Sequence, residues 1–402
     1  VAPEGAVADG AKEGMLDDDY HGEGTAGLGQ PVELSRPRTC YICRAEYRRL
    51  DAFYDALCER CAALSHHKRQ QSGDLRGYVA LVTGARIKIG FATAVRLLRA
   101  GAEVVATSRF PFDAARRYAN LPDFEVWRSR LRIVGLDLRF LGDVERLPEE
   151  LGLRGSALHI LIHNAAQTVA RPPEYYRELV AYESSAGAGL DSHVRALVTR
   201  AETRSRTALG LLGRAETLTR APSGFFPQGS DDGFGQPVDL RETNSWRLRL
   251  GEVSTQELVS VHAVSALAPF VLTHALLPSL RVDGSRERFI VCVSAVEGQF
   301  VRHYKSPGHP HTNMAKAALN MMVRTSAAEL ASERIYLSAV DTGWITNENP
   351  FAVSLHMHET GFSPPLDEEE GAARVCDPVF ATLAGEGPLF GAFYKDYRVA
   401  PW

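Results

Sequence analysis

Four cysteines between residues 40 and 61 have the spacing of a metal site. Cys40 and Cys43 form one Cys-x-x-Cys pair, and Cys58 and Cys61 form a second. Two such pairs can place four thiolates around one tetrahedral zinc ion. The alternatives are unrelated thiol pairs or a redox motif, although a redox Cys-x-x-Cys is expected singly, after a strand. We predict a zinc-binding module over residues 36–72, since so short a segment needs a staple in place of a large core.

The composition limits the classes of partner. The chain has 402 residues, of which 45% are hydrophobic and 23% charged, and its formal net charge is -4. This charge gives no electrostatic case for nucleic acid as the main partner. No stretch approaches the roughly 20 apolar residues that a membrane helix needs, so we expect a soluble chain without a membrane span. Its compartment stays open between the cytoplasm and an organellar matrix or stroma, because processing could have removed a targeting segment.

The segments beside the cysteines are polar. Residues 1–35 contain few large apolar side chains, which predicts a flexible acidic tail. The run HHKRQQ, His66 to Gln71, follows the last cysteine. It could contact an anion or RNA, and the simpler interpretation is the solvated end of a helix.

An alternation of strands and helices begins near residue 75. Tyr78–Val82 is predicted to be a strand, followed by a glycine-containing turn, a helix to Arg99 and a strand at Glu103–Thr107. Further strands are predicted within residues 131–138, 157–166, 288–298 and 335–344. This order predicts an α/β fold with a Rossmann-type, doubly wound parallel sheet, whose ligand lies at the carboxyl ends of the strands.

Several motifs in this region, taken in order, resemble the short-chain dehydrogenase/reductase superfamily. TGARIKIG at 83–90 resembles its TGxxxGxG turn, HNAA at 163–166 resembles NNAG, and Ser294 and Lys316 match two catalytic positions. The resemblance covers residues 73–402. It implies a nicotinamide dinucleotide as cofactor and, if the chain is active, a carbonyl reductase or an alcohol dehydrogenase.

The resemblance also implies which residues hold the cofactor. Lys88 stands where the middle glycine of the turn is expected, and its side chain either crowds the cofactor or swings out to a phosphate. Arg86 and Arg109 favour a 2'-phosphate and therefore NADP, with NAD as the alternative. The expected cofactor-binding set is Thr83, Gly84, Arg86, Lys88, Ile89, Gly90, Ser108, Arg109, Asp137, Leu138, Asn164, Ala165, Lys316, Thr342 and Gly343.

The catalytic positions are only partly kept. By the resemblance, Ser294 polarises a carbonyl and Lys316 binds the nicotinamide ribose, but Thr312 replaces the tyrosine. An aliphatic alcohol is a far weaker acid than a phenol, and losing a positioned general acid costs on the order of 100 to 10,000-fold. The long interval between Ser294 and Thr312 contains Tyr304 and two histidines, and we expect Tyr304 to be the substitute.

Residues 171–254 form an insertion in the resembling region, and they could cover the active site or serve as a docking surface. Two functions follow from these features. One is a divergent NADP(H)-binding oxidoreductase. The other is a catalytically degenerate relative that serves as a structural or redox-sensing subunit, with the tail, zinc module and insertion as protein contact surfaces. The oligomeric state, including a homo-oligomer, is left open.

Overall fold

A parallel sheet forms the centre of a computed structural model that describes residues 32–153, 155–200, 223–227, 229–302 and 304–402. The strands are β1 Glu33–Thr39, β2 Glu46–Arg49, β3 Val79–Thr83, β4 Glu103–Ser108, β5 Leu131–Gly135, β6 Ile160–His163, β7 Val198–Arg200, β8 Arg288–Ser294, β9 Ile335–Asp341, β10 Phe393–Lys395 and β11 Arg398–Ala400. β1 and β2 pair separately, and the other nine have the order β11-β10-β9-β8-β6-β3-β4-β5-β7. All neighbours in this sheet are parallel except β10 and β11.

This topology confirms the predicted doubly wound α/β fold. The chain passes from β3 to β4 on one side and later returns to β6 on the other side of β3. The crevice at the carboxyl ends of β3 and β6 is the place where such sheets bind ligands. The four later strands are shorter than the segments in which they were predicted, because their ladders end at Gly135, His163, Ser294 and Asp341. The residues that follow them are thereby released into the loops above this crevice.

Helices cover both faces of the sheet. They are α1 Glu59–Gln70, α2 Lys88–Arg99, α3 Pro111–Ala119, α4 Phe124–Trp127, α5 Leu141–Glu150, α6 Arg177–Ser184, α7 Ser192–Arg195, α8 Thr255–His262, α9 Ala268–Leu280, α10 Pro310–Ala331, α11 Phe351–Glu359 and α12 Glu368–Leu383. Within β3, Ala80 and Val82 join one buried cluster while Leu81 joins the other. The period of two in a strand therefore fills a core on each face, which explains why the strand is apolar throughout.

The cysteine-containing module is a hairpin followed by a helix. β1 and β2 form an antiparallel pair, with Cys40 and Cys43 at their turn, and α1 carries Cys58 and Cys61 at its start. The first strand begins at Glu33, so ordered structure starts before the predicted boundary at residue 36. Most of the predicted tail, residues 1–31, lies outside the described residues.

The module docks on α12 through a buried carboxylate. Glu370 has an exposed fraction of 0%. It accepts hydrogen bonds from Tyr54 at 2.7 Å and Ser65 at 3.1 Å in the module, and from Tyr397 at 3.0 Å in the main domain. Arg374 supplies the opposite charge at 3.1 Å, and its other end binds Asp396 at 2.7 Å. The module is thus joined to the sheet domain by a paired, hydrogen-bonded network, as buried charge requires.

The basic run after the cysteines also belongs to this contact. Lys68 lies 2.7 Å from Asp377, and Arg69 pairs with Asp367 at 2.7 Å. Arg96 of α2 donates to the carbonyls of Lys68 and Arg69 near the end of α1. Lys68 and Arg69 bind the chain's own carboxylates, which removes the basis for an RNA or anion contact at HHKRQQ.

The insertion lies along the carboxyl edge of the sheet. Its first part carries α6, α7 and β7, and β7 pairs with β5 to extend the sheet by one strand. The sequence suggests a helix over residues 193–218, but residues 198–200 of it form β7, and residues 201–222 lie outside the described residues. The second part, residues 223–254, returns across the loops above the strands and contains little regular structure.

One helical run passes a length and composition test for a membrane span. It covers Thr255–Leu280, and 56% of its most apolar window is buried inside the fold. The expectation that no stretch is long and apolar enough is therefore wrong by this test. The burial fits a core helix of a folded domain.

The network around Glu370 predicts that replacing Arg374 lowers the stability of the protein far more than replacing a surface arginine does. Arg374→Met leaves Glu370 and Asp396 buried without their cation, so the free energy of unfolding should fall by about 3–5 kcal/mol. Arg281→Met is the matched control, because Arg281 pairs with Glu333 at 2.7 Å on the surface. We expect this control to cost less than about 1 kcal/mol. Urea unfolding measures both, and a small effect at Arg374 would contradict the assigned role of the network.

Candidate cofactor and catalytic site

The turn between β3 and α2 is closed so tightly that only glycine fits at two positions. Gly84 has φ +69°, and a Cβ there would lie 2.9 Å from the Cα of Ala165. A Cβ on Gly90 would lie 2.2 Å from Asn164 Nδ2. Thr83 Oγ1 accepts the backbone N–H groups of Asn164 and Ala165, each at 3.1 Å. This cradle brings the two predicted motifs together at the switch point of the sheet.

The start of α2 offers its backbone amides to this cradle. The N-cap residue is Ile87, and no side chain caps the helix. Uncapped N–H groups at a helix start suit a phosphate, so the residues present fit the pyrophosphate of a dinucleotide.

Lys88 keeps the backbone shape of the glycine that it replaces. Its φ is +53°, in the left-handed region. The side chain points away from the turn, with Nζ 4.8 Å from the ring centroid of Phe234 in the insertion. A cavity of about 360 Å³ lies beside it, lined by Arg86, Ile87, Lys88, Phe91, Ala92, Arg117, Gly233, Phe234, Gly235, Glu368 and Glu369.

The structure separates the two arginines that favour NADP. Arg86 is 7% exposed, and it donates to Asp113 at 2.6 Å and to Gln236 of the insertion at 2.8 Å. It is therefore held within the protein and is not presented to a phosphate. Arg109 is exposed, and it donates to the Tyr176 hydroxyl at 3.1 Å. The Ser108 hydroxyl accepts the backbone N–H of Phe110 at 2.9 Å. Arg109 is thus the one of the two whose side chain is exposed where it could meet a ligand.

Asp137, which the resemblance assigns to the adenine amino group, forms an ion pair. Asp137 accepts from Arg139 through both carboxylate oxygens, at 3.0 Å from Nε and 2.5 Å from Nη2. Burial raises the pKa of Asp137, but the bonds from Arg139 outweigh it and the net pKa is below its usual range. Leu138 is buried beside it. A charged Asp137 remains able to accept a hydrogen bond from an amino group.

Ser294 and Lys316 meet at the carboxyl end of β8. Ser294 Oγ donates to Asn320 Oδ1 at 2.5 Å, and Lys316 Nζ donates to the Val293 carbonyl at 2.6 Å. Burial lowers the pKa of Lys316 to about 8, against the opposing charge of Glu297. The sequence interpretation missed Asn320. Its signal is the spacing, because a residue four after Lys316 lies on the same helix face.

The position of the missing tyrosine is buried. Thr312 is 5% exposed, and its Oγ1 has no hydrogen-bond partner among the described residues. Tyr304 is 76% exposed. The structure therefore does not bring Tyr304 into the site. Ser265 lies in a π-helical turn, Ala263–Leu267, where its Oγ accepts the Gln167 N–H at 3.3 Å.

Two histidines at the start of α10 have different surroundings. His309 is the N-cap residue, with its ring stacked on Trp246 of the insertion at 3.8 Å and 8°. Its Nδ1 lies 2.8 Å from the Trp246 carbonyl oxygen. His311 is 1% exposed, and its Nε2 lies 3.3 Å from Glu257 on α8.

The loop after β9 forms a wall that β8 and α12 hold in place. Asp341 accepts the N–H of Val296 at 2.8 Å and of Gly343 at 2.9 Å. Gly343 has φ +78°, and a Cβ there would lie 2.8 Å from Arg374 Nη1. Thr342, which by the resemblance stands where a proline is usual, is 9% exposed.

The cysteine module supports this wall from outside. The backbone N–H of Trp344 donates to the Tyr41 hydroxyl at 3.0 Å. Ile345 and Leu366 share a buried cluster with the module, and Ile89 from the glycine-rich turn packs against it. The module therefore contacts both loops that are expected to touch a dinucleotide.

The four cysteine sulfurs converge as their spacing predicts. All four lie within 4.8 Å of one another, a group that could hold a metal ion, and Cys43 and Cys58 Sγ are 3.6 Å apart. The backbone N–H of Ala45 contributes most to lowering the pKa of Cys43 to about 6. Burial raises the pKa of Cys61.

The insertion covers the site through side chains and backbone. Ser245 Oγ accepts the Ala170 N–H at 2.7 Å, and Asn244 Nδ2 donates to the Glu348 carbonyl at 2.9 Å. With the contacts of Gln236, Phe234, Tyr176 and Trp246 described above, it reaches from the glycine-rich turn to the start of α10. Of the two roles expected for it, these contacts support a cover over the site.

Family models match two parts of the chain. Residues 78–184 match the model described as short chain dehydrogenase. Residues 243–356 match the model described as Enoyl-(Acyl carrier protein) reductase. The matched segments contain the glycine-rich turn and the Ser294 and Lys316 positions, and most of the insertion lies between them.

Known proteins agree with these matches. An uncharacterized protein of Acanthamoeba polyphaga mimivirus is 30% identical over 360 residues, which cover 87% of this chain and 73% of that protein. The human WW domain-containing oxidoreductase is 34% identical over 103 residues, which cover 25% of this chain and 24% of that protein. The solved RhlG/NADP active-site complex of Pseudomonas aeruginosa has a TM-score of 0.50 at 17% identity, over 80% of this chain and 94% of that one.

The glycine-rich turn and the Ser294 and Lys316 positions lie within the segments that the family models match. The chain belongs to the short-chain dehydrogenase/reductase superfamily.

Proposed function

We propose that the protein is an NADP(H)-dependent oxidoreductase that interconverts a carbonyl compound and an alcohol. The observation that carries this proposal is the preserved pair at the end of β8, where Lys316 is buried against the Val293 carbonyl and Ser294 is held by Asn320. A lysine without a role in the site would stay exposed to water, because burying a charge costs free energy unless a partner compensates for it.

Each residue of the pair has a role that its geometry supports. Ser294 Oγ lies at the carboxyl edge of the sheet, and its single O–H, which donates to Asn320 here, would turn to a carbonyl oxygen and polarise it. Lys316 can hold ribose hydroxyls, and the cradle at Gly84 and Gly90 can hold the pyrophosphate. The bound dinucleotide supplies the hydride, which is the cofactor's own chemistry. Arg109 supports NADP over NAD, because a guanidinium binds a phosphate through charge-assisted bonds.

A second candidate function is a structural or redox-sensing subunit with reduced catalysis. It is favoured by the contacts that the insertion makes with residues expected to bind adenosine, namely Tyr176 with Arg109 and Gln236 with Arg86. Thr312 in place of the tyrosine points the same way. In its purely structural form, this function requires neither dinucleotide to bind at millimolar concentration.

Cofactor titration separates the two functions. We expect NADPH to bind wild-type protein, and Lys316→Met to weaken that binding about tenfold, because a charge-assisted bond to the ribose contributes about 1.5–3 kcal/mol. Ser294→Ala should bind NADPH as wild type does, since its hydroxyl serves the substrate. Fluorescence titration measures the affinity, with circular dichroism to check that each variant is folded. Equal affinity for Lys316→Met and wild type would remove the support for this site.

Cofactor choice is tested at Arg109. Arg109→Ala should weaken NADPH binding about tenfold and change NADH binding less than about threefold, because only NADPH carries the 2'-phosphate. Arg99→Ala is the matched control, since Arg99 pairs with Asp123 on the surface at 2.7 Å. Calorimetric titration with both dinucleotides measures the four affinities. An equal loss for NADPH and NADH would argue against a phosphate contact.

We also propose that the four cysteines bind one structural zinc ion. Metal analysis of the purified protein should find about one zinc per chain, and Cys58→Ala should lose it, since four ligands complete a structural site. Cys376→Ala is the control, because Cys376 is buried in the sheet domain away from the cluster. Chelation should also lower the melting temperature, as the module depends on the metal for its fold. Full zinc content in Cys58→Ala would contradict the assignment.

A further inference from the structure

The proposed reaction needs a group that moves a proton, and neither residue considered from the sequence supplies it. The Thr312 hydroxyl has too high a pKa to act as a phenol does. Tyr304 is 76% exposed. The described residues at the start of α10 contain two further titratable groups, His309 and His311. Their spacing and contacts distinguish them.

His309 is the N-cap residue of α10, directly before the turns that carry Thr312 and the preserved lysine. It precedes Thr312 by three residues and Lys316 by seven, which are spacings of one and two helical turns. His311 lies about 200° around the helix from His309, and it contacts Glu257 on α8 at 3.3 Å. The Glu297 carboxylate acts on the pKa of both His309 and Lys316. The same carboxylate, in the turn that follows Ser294, therefore influences the charge of both His309 and Lys316.

The insertion fixes the orientation of the His309 ring. Its Nδ1 lies 2.8 Å from the Trp246 carbonyl oxygen, which can only accept, so Nδ1 carries a hydrogen. The ring is stacked on the Trp246 indole at 3.8 Å, and the His309 N–H donates to the Leu248 carbonyl at 2.7 Å. These contacts hold a left-handed conformation, φ +42°, that a histidine rarely adopts. Nε2 is left as the nitrogen that gains and loses a proton.

We propose that His309, held by Trp246, transfers the proton between its Nε2 and the substrate oxygen, in the role that a tyrosine has in the resembling enzymes. The inference rests on the proposed function. In the direction of reduction, the Nε2–H bond of the imidazolium breaks and an O–H bond forms on the product alcohol. The neutral ring then takes a proton from water. The electron pair enters with the hydride on the carbonyl carbon, so charge and atoms balance.

The electrostatic surroundings set the direction of the pH dependence. Burial lowers the pKa of His309 from its usual 6.5, while the bond to Trp246 and the charge of Glu297 raise it; His311 and Lys305 lower it further. The imidazolium is the acid in reduction, so its rate should fall as the pH rises through this pKa. The neutral ring is the base in oxidation, so that rate should rise over the same interval.

The test uses variants chosen to keep the backbone. His309→Gly and His309→Asn both tolerate the left-handed conformation. With phenanthrenequinone as the probe and NADPH bound, each should lose about 100-fold or more in turnover rate and lose the pH dependence below neutrality. NADPH affinity should stay within about threefold of wild type. Added imidazole should restore turnover in His309→Gly, which a purely structural role does not predict. His274→Asn, on the exposed side of α9, should behave as wild type.

The outcomes separate this inference from the proposed function. Wild-type turnover and pH profile in the His309 variants would overturn the role of His309 and leave the oxidoreductase intact. NADPH binding without turnover in wild type would overturn it as well. Absence of NADPH binding would overturn the proposed function itself. An NMR titration of the His309 ring gives a reading without activity: the inference requires the Nδ1–H form and a pKa below 6.5.

Discussion

The buried Glu370 carboxylate is the interaction on which the arrangement of the molecule depends. A charge with no exposure must find donors within the protein, and Glu370 finds them in the cysteine module, in α12 and in the turn before β11. Its partner Arg374 packs against Gly343. One ion pair thus fixes the small module against the sheet domain and also supports the loop that walls the site. Removing any one of these residues would leave another buried charge unpaired, which costs free energy. The positions are therefore interdependent.

The insertion gives the site a second layer that the family fold alone does not require. Phe234, Tyr176 and Trp246 lie over Lys88, Arg109 and His309 respectively. Aromatic faces against cations and a stacked histidine hold these side chains through planar contact, with few rotatable bonds to freeze. The cover therefore positions the residues around the crevice as well as shielding them from water. A ligand at this edge must share space with it.

The catalytic positions are held in place by contacts that are independent of one another. Lys316 and Ser294 are held by backbone and side-chain bonds that do not involve residue 312, so a threonine there leaves their geometry intact. The Thr312 hydroxyl is buried without a hydrogen-bond partner among the described residues, and it lies closer to the helix backbone than a phenol hydroxyl would. The proposed proton carrier, His309, comes from the N-cap position directly before α10.

The sequence by itself determined the local features. The apolar strands, the glycine turn at Gly84 and Gly90 and the paired cysteines follow from periodicity, steric limits and ligand spacing, which act over a few residues. These predicted the doubly wound sheet and the convergence of the four sulfurs. They did not locate the strand ends, because a strand ends where the neighbouring strand of the sheet stops pairing with it.

Only the tertiary structure decided which side chains are free to meet a ligand. Arg86 and Arg109 look alike in the sequence, yet Asp113, 27 residues from Arg86, binds one of them while the other stays exposed. Tyr304 and His309 lie five positions apart, but Trp246 orders the histidine and nothing among the described residues draws the tyrosine inward. Burial and charge pairing depend on partners distant in the chain, and no local pattern contains them.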